Sequence, residues 1–207
     1  MAHVKICGVT TTADALACAE LGASAIGLNF VPSSPRCITV GRARDIARAV
    51  RSTKVLVVGV VANLSVDEMR ALVHDVELGC VQLHGDESPE VLTPLLPHAY
   101  KAVRIATDAD VSHARRFAGD YLLADAKVAG ALGGTGETFD WALVKELARE
   151  RKLTLAGGLR PENVASAVRE VAPWCVDVAS GVEDAPGVKN LDAVRAFIAA
   201  AGAPQHR

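Results

Sequence analysis

Two side chains that can exchange protons follow apolar runs at widely separated points of the chain. Cys7 ends the run His3–Cys7, and Asp125 ends the run Tyr121–Asp125. If both runs are strands of one parallel barrel, their carboxyl ends lie at the same mouth. A thiol that faces a carboxyl group across an apolar mouth suggests proton transfer, with one group as the base and the other as the acid.

A pair of small-residue turns near the end of the chain is the second chemical feature. Two apolar runs end in such turns, with Gly157 and Gly158 after the first and Ser180 and Gly181 after the second. Glycine lacks a Cβ, so the backbone N–H groups of these turns can approach an anion closely. One such turn would only end a strand. Two turns on neighbouring strands favour a phosphate monoester, which (β/α)8 barrels bind after strands seven and eight.

Polar side chains also stand at or just beyond the ends of other apolar runs. They comprise amides, an arginine, an imidazole and a second carboxylate, namely Asn29, Arg36, Gln82, His84 and Asp177. The set contains no lysine that could form a Schiff base. It also lacks the cluster of histidines and carboxylates that a divalent metal needs, so we predict no metal site.

Eight apolar runs alternate with eight segments of helical pattern, at about 25 residues per unit. This alternation predicts a parallel sheet with right-handed crossovers, and eight units favour a closed barrel over an open sheet. No G-x-G-x-x-G motif follows an early strand, as a dinucleotide fold would require. We therefore predict an α/β fold, a single-domain (β/α)8 TIM barrel over residues 1–207, with 203–207 as a frayed tail.

Local signals set the expected ends of several helices. Thr11 or Thr12 is expected to cap the first helix, and Asn190 the last. Ser65 and a glutamate three residues later have the spacing of a capping box. Pro161 is expected to open the helix that precedes the final strand.

Composition bounds the classes of partner. The 207 residues are 50% apolar and 22% charged, with a net charge of -2, which gives no electrostatic reason to expect nucleic acid or an anionic membrane. The first residues lack a signal-peptide pattern, and no apolar run is long enough to span a bilayer. The five cysteines are scattered and odd in number, which fits a reducing cytoplasm. A monomer is expected, with a homodimer as the alternative.

An ordered set of motifs identifies a family. Over essentially its whole length the chain resembles phosphoribosylanthranilate isomerases. The motifs that carry the resemblance are Lys5–Gly8, Ser34–Arg36, Val81–Gly85, Gly133–Gly136, Ala156–Leu159 with Pro161 and Asn163-Val164, and Asp177 followed by Ser180–Glu183. The resemblance implies a barrel enzyme that needs no cofactor. Its small-molecule phosphosugar substrate, N-(5-phosphoribosyl)anthranilate, would undergo an Amadori rearrangement to 1-(2-carboxyphenylamino)-1-deoxyribulose 5-phosphate.

The resemblance also implies roles for the two proton-exchanging groups. Cys7 would be the general base, which requires a thiolate and hence a pKa near or below the working pH. Asp125 would be the general acid, kept protonated by the apolar run Tyr121–Ala124. Lys5 lies on the same inward face as Cys7, and a buried ion pair with an inward acid is its expected role.

The remaining roles concern binding. Arg36 would hold the anthranilate carboxylate, because a guanidinium binds that planar group bidentately. Gln82 and His84 would lie beside the substrate, and Asp177 would bind ribulose hydroxyls, pair with Lys5, or do both. The loop Lys127–Thr138, which contains Gly133–Gly136, would close over the substrate. Asn29 occupies a position that is often apolar in the family and could alter the anthranilate pocket.

Other phosphosugar barrels are the alternatives. A histidine-pathway isomerase, or an isomerase that serves both pathways, would place an aspartate where Cys7 stands. A class I aldolase needs a lysine at the end of a strand. A non-catalytic phosphosugar sensor on the same barrel is the third hypothesis, and loss of Cys7, Asp125 or Arg36 would have supported it.

Overall fold

The structure is a computed structural model that describes residues 2–126 and 140–202, with only the backbone for Ala126. The predicted closing loop Lys127–Thr138 and the predicted frayed tail Ala203–Arg207 lie outside the described residues.

Eight parallel strands form a closed barrel. They are β1 (His3–Cys7), β2 (Ala25–Asn29), β3 (Leu56–Val61), β4 (Cys80–Leu83), β5 (Ala99–Ile105), β6 (Tyr121–Ala126), β7 (Lys152–Leu155) and β8 (Cys175–Val178). Each strand pairs with the next, and β8 pairs with β1 to close the ring. The predicted (β/α)8 barrel is therefore confirmed.

Helices follow the strands around the outside of the barrel. They are α1 (Thr12–Glu20), α2 (Val40–Val50), α3 (Val66–Val76), α4 (Pro89–Leu92), α5 (Asp108–Ala114), α6 (Lys145–Glu150), α7 (Val164–Val171) and α8 (Leu191–Ala200). Short 3-10 segments extend α4, precede α6 and follow β8. None of the described helices has the length and apolar character needed to cross a membrane.

The capping signals were mostly correct. Thr11 and Asn190 cap α1 and α8, and Ser65 forms a reciprocal capping box with Glu68 at the start of α3. The prediction for α7 was wrong at its start, because the helix begins only at Val164. The preceding residues form a turn in which Asn163 Oδ1 accepts from the amide of Arg160, so Asn163 competes with helix formation there.

A short antiparallel hairpin was not predicted. It consists of β9 (Glu183–Ala185) and β10 (Val188–Lys189), and Gly187 turns between them with φ 83°. Strands this short carry too few residues for an alternating pattern. Thr10 Oγ1 donates to the carbonyl of Gly187 at 2.6 Å, so the hairpin is fixed beside the loop that follows β1.

Strand alternation divides the buried residues into two layers. Val4 and Ile6 of β1 face outward into the large apolar layer between strands and helices. Lys5 lies between them in the strand and therefore faces the inside of the barrel. A small apolar cluster inside the barrel includes Val58, Tyr100 and Leu123. The mouth above this cluster is where polar side chains gather.

Candidate active site

A cavity of about 400 Å³ opens at the carboxyl ends of the strands. All the predicted site residues line it, namely Cys7, Arg36, Gln82, His84, Asp125, Gly157, Gly158, Asp177, Ser180 and Gly181. The structure therefore brings together residues that the sequence separates by more than a hundred positions, as expected for the mouth of a parallel barrel. Asn29 lines the same cavity.

The thiol of Cys7 lies against the backbone of a glycine, Gly27, in the position that a side chain at residue 27 would occupy. Cys7 pairs in register with Gly27 on the neighbouring strand β2. A Cβ on Gly27 would lie 2.7 Å from Cys7 Sγ and 3.2 Å from Lys5 Nζ. The sulfur and the ammonium thus lie side by side over the Gly27 backbone, which no other residue type would allow without displacing them.

The surroundings of Cys7 favour the thiol. Burial raises the pKa of Cys7, the charge of Asp177 adds to this, and the nearby cations Lys5 and Lys189 act in the opposite direction. A general base requires the thiolate, which Lys5 and Lys189 favour here and which burial and Asp177 oppose. Burial acts to lower the pKa of Lys5, but the charges of Asp177, Cys7 and Tyr100 and the hydrogen bond to Asp177 together outweigh it and hold the pKa well above its usual value.

Lys5 and Asp177 form the buried ion pair that the sequence predicted. Lys5 Nζ lies 2.9 Å from Asp177 Oδ2. Asp177 Oδ1 is buried and accepts no hydrogen bond from the described residues. One oxygen of this carboxylate is therefore committed to the lysine, and the other can accept a bond from a group inside the cavity.

Asp125 stands near the end of β6 and is buried at the opposite side of the mouth. Its Oδ2 lies 3.3 Å from His84 Nε2, close enough for an ion pair, although the geometry is not that of a hydrogen bond. Leu123, two residues earlier, packs inside the barrel below it. The predicted apolar surroundings of Asp125 are therefore only part of its environment, since an imidazole contacts it directly.

A hydrogen-bond relay sets the orientation of that imidazole. Tyr100 donates from its hydroxyl to Gln82 Oε1 at 2.9 Å, so the amide nitrogen of Gln82 faces His84 Nδ1 at 2.7 Å. Since an amide nitrogen only donates, Nδ1 must accept. A neutral His84 then carries its proton on Nε2, the nitrogen that lies 3.3 Å from Asp125 Oδ2.

Arg36 lies across the backbone of Gly8, at the start of the loop after β1. Gly8 has φ 73°, and a Cβ there would overlap Arg36 Cδ. Arg36 Nε lies 2.9 Å and 3.0 Å from the two oxygens of Glu183, and Nη2 lies 2.6 Å from Oε2. This hydrogen bonding raises the pKa of Arg36, so the guanidinium stays positively charged.

The two glycine turns meet each other at the same edge of the barrel. Gly157 and Gly158 have φ 86° and 62°, a region that side chains disfavour. A Cβ on Gly181 would overlap the carbonyl oxygen of Leu159, so the second turn packs directly on the first. Asn163 Nδ2 donates to the carbonyl of Gly158 at 2.9 Å and fixes the first turn.

Sequence reasoning gave no role to two charged residues beside the site. Glu183 was recognised only as part of a motif, and Lys189 was not singled out. Lys189 Nζ is buried and donates to the Cys7 carbonyl at 2.6 Å and to Glu183 Oε1 at 2.7 Å. The signal for Glu183 was its position just after the second glycine turn. For Lys189 there was none, because lysines are mostly exposed.

Among the described residues, no group of three or more His, Cys, Asp or Glu side chains could hold a metal ion.

Known proteins of one family resemble this chain over nearly its full length. The family model of N-(5'phosphoribosyl)anthranilate (PRA) isomerase matches residues 4–200. The N-(5'-phosphoribosyl)anthranilate isomerase of Myxococcus xanthus (strain DK1622) is 46% identical over 203 residues, which cover 96% of this chain and 95% of that protein.

Solved structures agree with this match. The crystal structure of phosphoribosyl anthranilate isomerase from Thermotoga maritima has a TM-score of 0.89 at 39% identity, covering 98% of this chain and 99% of that one. A structure of such an isomerase in complex with reduced 1-(o-carboxyphenylamino)-1-deoxyribulose 5-phosphate has a TM-score of 0.85 at 38% identity, with the same coverage.

Proposed function

The chain belongs to the N-(5'-phosphoribosyl)anthranilate isomerase family, and we propose that Cys7 and Asp125 carry out its reaction as general base and general acid. The family consists of isomerases of tryptophan biosynthesis. The substrate would be N-(5-phosphoribosyl)anthranilate, and the product 1-(2-carboxyphenylamino)-1-deoxyribulose 5-phosphate. The observation that carries the proposal is that a thiol, a carboxyl group, a guanidinium and two facing glycine turns line one cavity.

The phosphate of the substrate would bind at the two glycine turns. Gly157, Gly158, Ser180 and Gly181 all line the cavity, and the turns lie against each other. Backbone amides of such turns present several N–H donors without a side chain in the way. Anchoring the phosphate there would direct the ribose ring over the mouth, between β1 and β6.

The anthranilate carboxylate would bind to Arg36. Glu183 occupies the edge of the guanidinium formed by Nε and Nη2. An arginine has five N–H donors, so the edge formed by both Nη nitrogens remains for a second carboxylate. With the phosphate and the carboxylate held at opposite ends, the ribose would lie between Cys7 and Asp125.

Asp125 would open the furanose ring. Its carboxyl group donates a proton to the ring oxygen as the bond from that oxygen to C1 breaks, and the anthranilate nitrogen forms a double bond to C1. His84, placed beside Asp125 by the Gln82 relay, would then stabilise the carboxylate that remains by donating from Nε2.

Cys7 would take the proton from C2 of the opened sugar. The electron pair of the broken C–H bond moves to form an enolamine, which tautomerises to the ketone product. Only the thiolate can accept this proton, and the cations Lys5 and Lys189 are the groups that favour it against burial. Asp177 Oδ1 would accept a hydrogen bond from a hydroxyl of the open-chain sugar.

We also propose a cytoplasmic location, which the five free cysteines support because an oxidising compartment favours their pairing.

A coupled assay tests the proposed function. Freshly prepared phosphoribosylanthranilate is given to the purified protein, and the loss of its fluorescence is followed together with the appearance of the deoxyribulose phosphate. We expect turnover at rates typical of metabolic enzymes, on the order of 1–1000 s⁻¹. Spontaneous decay of the substrate to anthranilate, with no ketose formed above the rate without protein, would contradict the proposal.

A further inference from the structure

The proposed reaction leaves Glu183 without a role, although Arg36, Lys189 and Gly187 all donate hydrogen bonds to its carboxylate. Its side chain is 3% exposed. It accepts from Arg36 through two nitrogens, from Lys189 Nζ at 2.7 Å and from the amide of Gly187 at 3.3 Å. Burial opposes its charge, but hydrogen bonds from Arg36 and Lys189 lower the pKa of Glu183, so it is an anion between two cations.

The orientation of Arg36 depends on this carboxylate. An arginine side chain has many rotamers, and fixing one without a partner is costly in entropy. Gly8 lies against the side chain near Cδ and Nε. The contacts of Glu183 to both Nε and Nη2 fix the plane of the guanidinium, because two parallel bonds define a plane where one would not.

The hairpin fixes Glu183 in turn. Gly187 both donates its amide to Glu183 Oε1 and accepts at its carbonyl from Thr10 Oγ1. Lys189 ties the same carboxylate to the carbonyls of Cys7 and Ala179, at 2.6 Å and 3.4 Å. The carboxylate is therefore anchored to the ends of β1 and β8, and an arginine held by it cannot move independently of the cavity wall.

We propose that Glu183 is the positioning residue for Arg36, and that it sets the preference of the site for a substrate carrying an aromatic carboxylate. Glu183 does not contact the substrate. It acts by taking the Nε edge of the guanidinium, which leaves the opposite edge directed into the cavity and preorganised for a second, planar carboxylate. The inference rests on the proposed function, since it assumes that Arg36 receives the anthranilate carboxylate.

Binding of two matched ligands separates positioning from general structural support. The first ligand is reduced 1-(o-carboxyphenylamino)-1-deoxyribulose 5-phosphate, and the second is the same compound without the ring carboxylate. Dissociation constants are measured by calorimetry for the wild type and for Glu183→Gln. We expect Glu183→Gln to weaken the carboxylated ligand about tenfold or more, in line with a charge-assisted hydrogen bond, and the second ligand less than about twofold.

Steady-state kinetics should show the same division. Glu183→Gln is expected to raise KM for phosphoribosylanthranilate while kcat stays within a few-fold, because Lys189 keeps its bonds to the two carbonyls. Asp184→Asn is the matched control. It removes a carboxylate from the adjacent, exposed position of β9, and should change neither ligand affinity.

The pair of residues is tested with a double variant. In the Arg36→Met background, Glu183→Gln should cause no further loss of affinity for the carboxylated ligand, because the residue it positions is absent. If Glu183→Gln does not fold, Glu183→Asp replaces it, since this variant keeps the charge near Lys189 and shortens the reach to Arg36.

The results separate the proposed role of Arg36 in binding the carboxylate from the proposed role of Glu183 in positioning Arg36. If Arg36→Met keeps the wild-type preference for the carboxylated ligand, the proposed role of Arg36 is wrong. If Arg36→Met abolishes that preference but Glu183→Gln keeps it, the positioning role of Glu183 is overturned. Equal weakening of both ligands by Glu183→Gln would also overturn it, because that is the result of a purely structural role.

Discussion

The two sides of the barrel mouth hold their reactive groups in different ways. On the side of β1, β2 and β8, the thiol of Cys7 lies in the field of three cations, Lys5, Lys189 and Arg36. Each of these cations is paired with a buried carboxylate. On the side of β4, β5 and β6, Asp125 contacts the imidazole of His84, which is oriented by the hydrogen bonds of neutral groups.

The side of Asp125 also contains a buried ion pair, whose lysine donates hydrogen bonds to backbone carbonyls. Lys101 Nζ lies 3.0 Å from Glu87 Oε2 and donates to the carbonyls of Leu83 and Gly85 at 3.1 Å and 2.7 Å. These two carbonyls flank His84 in the chain. The pair therefore holds the backbone on both sides of His84.

We relate this difference to the roles proposed for the two groups. A buried thiol loses its proton only if nearby positive charge offsets the cost of burying the thiolate. A carboxyl group that must donate a proton needs the opposite, namely surroundings that hold it in place without strong positive charge. On the thiol side, the charges of Lys5 and Lys189 act on the pKa of Cys7. On the acid side, a relay of neutral groups fixes the imidazole that contacts Asp125.

The largest effect is expected from removing the thiol. Cys7→Ser should lower kcat by about a hundredfold or more, because a serine hydroxyl is far less acidic and general base catalysis is worth 10²–10⁴ in rate. Steady-state kinetics measure this. A variant with near wild-type turnover would show that the thiol side does not supply the base.

The next largest effect is expected from removing charge beside the thiol. The Lys5 cation lowers the pKa of Cys7, so Lys5→Met should raise it and move the rising limb of the kcat/KM profile to higher pH. At a pH below the limb, the thiolate population and hence the rate fall about tenfold for every pH unit by which the limb moves. Leaving Asp177 without its partner should also lower the free energy of unfolding by about 3–5 kcal/mol.

Lys5→Arg is the control for that profile, because it keeps a positive charge beside the thiol. Its limb should move less than that of Lys5→Met. Profiles that coincide for the wild type and Lys5→Met would mean that charge tuning of the thiol side is not part of catalysis.

A moderate effect is expected at the glycine turns, where the substrate phosphate is proposed to bind. Gly181→Ala would place a Cβ against the Leu159 carbonyl and force the two turns apart, so KM should rise about tenfold with no shift in the pH profile. Gly41→Ala is the matched control. Gly41 lies in α2 with no atom within 4 Å of an added Cβ, and alanine there should stabilise the helix by up to about 1 kcal/mol.

The smallest effect is expected from the neutral relay on the acid side. Tyr100→Phe removes the hydroxyl that fixes the Gln82 amide, and a net hydrogen bond is worth about 0.5–1.5 kcal/mol. We therefore expect kcat to fall about two- to tenfold. The rising limb of the kcat/KM profile, which we attribute to Cys7, should stay at the same pH. A shift of that limb would show that the two sides are coupled through the barrel interior.

The sequence was sufficient for the features that depend on regular patterns. Alternating strands and helices predicted the barrel, and strand ends predicted which residues meet at the mouth, because closure of parallel strands forces their carboxyl ends together. It was not sufficient for features that depend on long-range packing. The hairpin that carries Glu183 is too short for a pattern, and Lys189 is a buried lysine that no local signal distinguishes. The pKa of Cys7 depends on burial and on charges from two strands, β1 and β8, and from the hairpin, so the direction of its shift follows only from the folded structure.

Kinetic isotope effects on single turnovers test most directly whether the two sides act on two different steps. The substrate carries deuterium at C2 of the ribose, and rates are compared with those of the unlabelled substrate for Cys7→Ser and Asp125→Asn. If Cys7 takes the C2 proton and Asp125 opens the ring, Cys7→Ser should show a full primary isotope effect, and Asp125→Asn an effect near unity. The reverse pattern, or equal effects in both variants, would contradict the division of work between thiol and carboxyl group.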